Sequence, residues 1–172
     1  NSLSEISKAR KSAYAKIKLM KHLVIVGGGF AGVRLARKLR RTKNVYITLI
    51  SDSEEFRYCP ALYRSATGHK VGVSRLPLEW MLLDCPNLNL IIDKALSIDV
   101  DTKKLNLESG QIIEYDEIVF AIGVVSTFFN IEGLHEYAYG MKTSQEVVKL
   151  RKHLHDTLML DDEASRNFVV VG

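Results

Sequence analysis

KHLVIVGGGFAGVRLARKLR, residues 21–40, sets three consecutive glycines between an apolar run and a basic, leucine-bearing stretch. Leu23–Val26 has no polar residue and reads as a strand buried on both faces. Phe30–Arg41 reads as a helix, with Val33, Ala36 and Leu39 along one side and arginines and lysines on the other. Between them stands Gly27-x-Gly29-x-x-Gly32. In this pattern the first glycine permits a tight turn and the second lets a pyrophosphate approach the backbone. The third lets helix and strand pack closely, while the helix N-terminus offers unpaired N–H groups and the positive end of its dipole. Glycine turns also arise for purely conformational reasons. Here a buried strand precedes, an amphipathic helix follows, and a second apolar strand arrives at Val45–Ile50.

Such a site calls for an acidic residue at the end of the second strand, about 20 residues beyond the last glycine, to bind a ribose hydroxyl. Ser51 occupies that position and Asp52 follows it. Either the strand shifts slightly and Asp52 takes the ribose, or Ser51 makes a weaker neutral hydrogen bond. The bland alternative is that Asp52, Ser53, Glu54 and Glu55 form a solvated loop.

A chain of 172 residues, 47% of them hydrophobic, is globular and of one ordinary domain's length. Its net charge of +4 equals that of residues 1–19 alone, where five basic residues face only Glu5. The remainder is neutral, with no electropositive surface of the kind nucleic acid needs. The basic tail has no apolar core and no small-residue cleavage pattern, so it is not a secretory signal. Met20 reads as a natural start, with residues 1–19 as upstream read-through or a leader; a basic arm on acidic lipid is the other reading. The longest uncharged apolar stretch, Leu23–Val33, is about half the ~20 residues of a membrane span. Cys59 and Cys85 are the two cysteines, in no CxxC or CxxxxC arrangement, which points to reduced thiols in a cytoplasmic setting. His153 and His155 lie two apart on an expected helix and point to different faces, which argues against a zinc site.

Along the chain, Phe56–Gly68 reads as a loop entering a short helix at Pro60, and Leu76–Leu83 as a second short helix begun by Pro77. Leu88–Ile92 is an apolar strand. Residues 95–115 alternate apolar and polar, with turns at Asp101-Thr102 and Ser109-Gly110, and predict a three-stranded meander. Glu117–Ile122 returns to a wholly buried strand ending at Gly123. Ser144–Leu160 predicts a helix whose Val147, Leu150, Leu154 and Leu158 form a core-packing face. Asn167–Val171 reads as another buried parallel strand, and a strand closing on Gly172 reads as a second dinucleotide motif cut off at its opening. The fold expected is α/β, a Rossmann-like parallel sheet carrying a β-meander. Residues 1–19 form a tail, 20–165 the N-terminal part of a dinucleotide domain, and 166–172 the first strand of a second.

This arrangement resembles the FAD domain of two-dinucleotide flavoproteins, whose closing strand usually ends in ATG where this chain has Ala121-Ile122-Gly123. Within that superfamily it is most similar to type II NADH:quinone oxidoreductases. Their loop after the second strand reads approximately FQPLLYQVATG, against YCPALYRSATG at 58–68, and FFNIEGLHEYAYGMKTSQEVVKLRKHL at 128–154 follows a second family pattern. The resemblance implies that Gly27, Gly29 and Gly32 hold the FAD pyrophosphate and that Ser51 or Asp52 meets the adenosine ribose. It implies that Ala95 pairs with adenine through its backbone, that Ala121 and Gly123 approach the flavin, and that Pro60 passes the isoalloxazine side. It names no catalytic side chain. It implies that hydride comes from NADH and electrons leave to a quinone, at the cytoplasmic face of an inner membrane or in the cytoplasm. Peripheral membrane attachment would come through segments beyond residue 172, and a homodimer is compatible. The chain departs from the family pattern at Ser51, at Cys59 for glutamine and at Ile122 for threonine. Sulfide:quinone and ferredoxin-type reductases share the scaffold, as would a non-catalytic FAD-binding module.

Overall fold

The computed structural model describes residues 20–160 and 167–170. The chain divides into two compact units: residues up to Phe56 with Pro77–Gly123, and Arg57–Leu76 with residues from Val124 onward.

The first unit is built on a parallel sheet. β1 (Lys21–Val26) lies between β2 (Val45–Ser51) and β9 (Glu117–Phe120), and β5 (Leu88–Ile92) pairs with β2, giving the order β5-β2-β1-β9. Two-fold alternation along β1 sends side chains into two different cores. Leu23 and Ile25 pack with Val33 and Ala36 of helix α1 (Phe30–Leu39), with Ile47 and Leu49 of β2, and with Leu78 and Leu82 of helix α3 (Leu78–Leu82). Val24 and Val26 face the other way, against Leu105, Leu107, Ile113 and Tyr115. Those residues come from or adjoin the antiparallel meander β6 (Ala95–Asp99), β7 (Lys104–Leu107) and β8 (Ile112–Glu114). One face of the sheet is thus covered by helices and the other by the meander. The expected α/β architecture forms, and its boundaries differ from the sequence reading by a few residues at most.

Short strands β3 (Glu55–Arg57) and β4 (Arg75–Pro77) mark where the chain passes from one unit to the other and back. In the second unit a short 3-10 turn at Cys59–Ala61 leads into α2 (Leu62–Ala66), and Gly68, at φ +109°, ends it. Helix α4 (Leu134–Tyr137) follows Gly133, and α5 (Ser144–Leu158) is the longest helix among the described residues. Leu62, Ala66 and Val147 are buried together.

Three expectations require correction. The strand at 117 ends at Phe120 and is not wholly buried: Phe120 is 52% exposed, because β9 pairs only with β1 among the described strands. The packing face of α5 fades along its length. Val147 is fully buried, Leu150 and Leu154 are half-buried, and Leu158 is 64% exposed, since nothing described covers the last turns. Asn167–Val170 form no strand and stand exposed, because an apolar run becomes a strand only where neighbours supply its hydrogen bonds. The readings of residues 1–19 and of Val171-Gly172 fall outside the described residues.

Helix α5 begins with a reciprocal cap that holds the second unit's entry loop. The Thr143 hydroxyl accepts from the Glu146 N–H, and the Glu146 carboxylate accepts from the backbone N–H groups of Thr143 at 2.7 Å and Lys142 at 2.9 Å. Ser126 donates its hydroxyl to the same carboxylate at 3.2 Å. Burial pushes the Glu146 carboxyl up, but these hydrogen bonds together outweigh it and hold its pKa below the ordinary 4.5. Removing the cap by Thr143→Ala lowers stability by about 1 kcal/mol in chemical denaturation. Because the folded pKa of Glu146 is depressed, its contribution is present above pH 4.5 and is lost as pH falls through the folded value. The Thr143→Ala deficit therefore shrinks in acid, which denaturation at two pH values measures.

Candidate dinucleotide-binding site

Three strands of the first unit end side by side. Val26 pairs with Ile50 of β2 and with Phe120 of β9, and the ladders run one step further. Gly27 donates its N–H to the Ile50 carbonyl at 2.8 Å, and Ala121 donates to the Val26 carbonyl at 2.7 Å. The chain builds outward from β1 through β2 to β5, then returns to the opposite side of β1 with β9. That reversal leaves a crevice outside the carboxyl ends of the strands, the place where open parallel sheets bind ligands.

The glycines divide the work of forming that crevice. Gly27 sits at φ +118°, and a Cβ there would stand 2.3 Å from the Ala121 carbonyl oxygen. At Gly32 a Cβ would lie 1.9 Å from the Gly27 carbonyl oxygen, so helix α1 reaches the turn only without a side chain. Gly28 is equally confined: its Cβ would be 2.5 Å from Ser51 Oγ and 2.8 Å from Leu78 Cδ1. Gly29 is different. A Cβ there would meet nothing within 4 Å. It is also the N-cap of α1, whose first turn has no side-chain cap and no acidic residue. The N–H groups at that end and the positive dipole end are left for an anion beside an open surface. The backbone is thus bared at one glycine and braced by the others.

Ser51, the last residue of β2, is 4% exposed, and its hydroxyl bonds the backbone of Ser53. Asp52 is exposed one residue further on. The Ser51 carbonyl accepts from Asp93 N–H at 2.8 Å, so the exit of β5 lies at the same end of the sheet. Ala95 opens β6 two residues later and packs beside the meander core. Ala121 closes against Gly27, and Gly123 follows at φ +77°. The first unit thus brings Gly27, Gly29, Gly32, Ser51, Asp52, Ala121 and Gly123 to one end of the sheet, with Ala95 at the exit of β5. Pro60 belongs to the second unit, where it opens the 3-10 turn, exposed. Two residues went unremarked in the sequence. Gly28 is confined as Gly27 and Gly32 are, though by side chains rather than backbone, and the unbroken triple glycine is its signal in the sequence. Phe30, at the first position of α1, packs edge-on against Phe56 at 4.9 Å and remains half exposed beside the open glycine.

Of the two cysteines, Cys59 is exposed and Cys85 buried. Burial, then the Asp84 carboxylate, pushes the Cys85 thiol up and disfavours its nucleophilic form. No cluster among the described residues could hold a metal ion, and no helix among them is long and apolar enough to cross a membrane.

A parallel sheet with a glycine turn after its first strand, a helix layer on one face and a meander on the other is the Rossmann-like fold of FAD-binding domains. The chain belongs to the pyridine nucleotide-disulphide oxidoreductase family, whose model matches residues 21–172. It is 36% identical over 140 residues to the sulfide-quinone reductase of Aquifex aeolicus, covering 80% of this chain and 32% of that protein. It is 30% identical over 163 residues to a type II NADH:quinone oxidoreductase of Mycobacterium tuberculosis, covering 87% of this chain and 34% of that one. The solved sulfide:quinone oxidoreductase of Aquifex aeolicus superposes with a TM-score of 0.73 at 34% identity, over 82% of this chain and 33% of its own. The chain spans about a third of the length of these relatives.

The geometry separates two glycine variants. Gly32→Ala forces α1 off the Gly27 carbonyl and lowers stability by about 1–3 kcal/mol. Gly29→Val enters open space from an extended backbone and shifts the unfolding midpoint far less. In the full-length protein Gly29→Val nonetheless abolishes dinucleotide retention, since its side chain fills the anion's place. Thermal unfolding and cofactor content of the two variants check both statements.

Proposed function

We propose that this chain is the N-terminal part of an FAD domain in a quinone-reducing flavoprotein that draws its electrons from NADH. The observation that carries the reading is the open Gly29 at an uncapped helix N-terminus, in a chain whose relatives include named NADH:quinone oxidoreductases. Gly27, Gly29 and Gly32 would hold the pyrophosphate, Asp52 the adenosine ribose and Ala95 the adenine. Ala121 and Gly123 would approach the flavin through their backbones, and the family resemblance gives Pro60 a place on the isoalloxazine side.

When bound, FAD would supply the two-electron chemistry, accepting hydride from NADH and releasing electrons to quinone. The protein's own residues need supply no general acid or base. Their work would be to orient: the glycine loop would fix the phosphates and the sheet ends the ribose and adenine. Action at the cytoplasmic face of a membrane follows from a lipid-soluble acceptor.

The greater identity to a sulfide-quinone reductase favours a second reading, in which sulfide replaces NADH as donor. Sulfide oxidation calls for paired redox cysteines; Cys59 and Cys85 lie in different units, and others could lie beyond Gly172. Anaerobic mixing of the full-length flavoprotein with each donor decides between them. NADH bleaches the visible flavin bands within the mixing time and sulfide does not. Bleaching by sulfide alone would transfer the assignment to the second reading.

A further inference from the structure

Ser51 sits where a nucleotide-binding strand of this kind ordinarily ends in an acid, yet its surroundings give it another task. It is 4% exposed. Its single hydroxyl proton goes to the Ser53 carbonyl at 2.8 Å, and its oxygen accepts from the Ser53 N–H at 3.3 Å. These two bonds close a ring over Asp52 alone. The same device is repeated one step on, where Ser53 Oγ donates to the Glu55 carbonyl at 3.3 Å and accepts from the Glu55 N–H at 3.1 Å. The Ser51 backbone is fixed independently, because its carbonyl accepts from Asp93 at the exit of β5 at 2.8 Å. Its Oγ also lies under the glycine loop, 2.5 Å from where a Cβ of Gly28 would be, which leaves no gap for a ribose between them.

We propose that Ser51 is a positioning residue that fixes Asp52 against the ribose, without touching the nucleotide. The proposal rests on the FAD reading of the site. With its one proton spent on the Ser53 carbonyl, one lone pair taken by the Ser53 N–H and its side chain buried, Ser51 has little to offer a ribose hydroxyl. The exposed carboxylate of Asp52 can accept from both ribose hydroxyls, and its direction is set by the ring that Ser51 closes. Rigid support of this kind is what a recognition residue on a loop requires.

The test is a double-mutant cycle on FAD affinity, read by flavin fluorescence on reconstituting the full-length apoprotein with wild type, Ser51→Ala, Asp52→Asn and the double variant. Asp52→Asn is expected to weaken FAD roughly 10- to 100-fold, the range of a lost charge-assisted hydrogen bond. Ser51→Ala is expected to weaken it roughly 3- to 10-fold with its unfolding midpoint little changed. The double variant is then expected within about twofold of Asp52→Asn, since a residue acting through Asp52 has nothing left to position. Multiplying losses, or a Ser51→Ala protein with unaltered affinity, would overturn the role. An Asp52→Asn protein with normal affinity beside a weakened Ser51→Ala would make Ser51 the direct contact and overturn it equally. A wild-type protein that binds no FAD would instead overturn the site reading on which the proposal stands.

Discussion

The structure depends on one steric constraint: helix α1 must come close enough to the end of β1 that Gly32 lies against the Gly27 carbonyl. Any side chain at either position would push the helix away and open the core between Ile25 and Val33. The constraint has a chemical consequence. By drawing the helix onto the strand end, it sets the N-terminus of α1 beside the carboxyl ends of β1 and β9. Packing therefore decides where the helix N-terminus stands. The residue freed from packing, Gly29, is the one that faces outward.

Much of this was legible in residues 21–50 and 88–115. A buried strand has no reason to vary its apolar run, and a meander must alternate, so period and composition separated the two sheets. The steric division among the glycines followed from their spacing. What the sequence concealed were matters of neighbourhood. The apolar runs at 117–122 and 167–171 looked alike as buried strands. The first pairs with β1 on one side only, and the described part of the second pairs with nothing. Ile122, Val124 and Val125 are all more than 70% exposed, a reminder that apolar residues are buried by partners and not by their own hydropathy. The leucines of α5 show the same limit.

At the end of β2 the sequence offers Ser51 and Asp52 as alternatives for one role. Their surroundings differ: Ser51 is buried and bonded to the Ser53 backbone, while Asp52 is exposed. The electron donor stays outside what these residues express. Relatives named for NADH and for sulfide each match over about a third of their lengths, and a shared fold names no electron donor.

If the braced glycine loop is an FAD seat, the cofactor content of the protein reveals it. The full-length protein, purified without added flavin and then denatured, is predicted to release about one FAD per chain, identified by chromatography against FMN and NAD. Release of FMN or NAD in its place, or of no cofactor from a protein that also fails to take up FAD, would contradict the account.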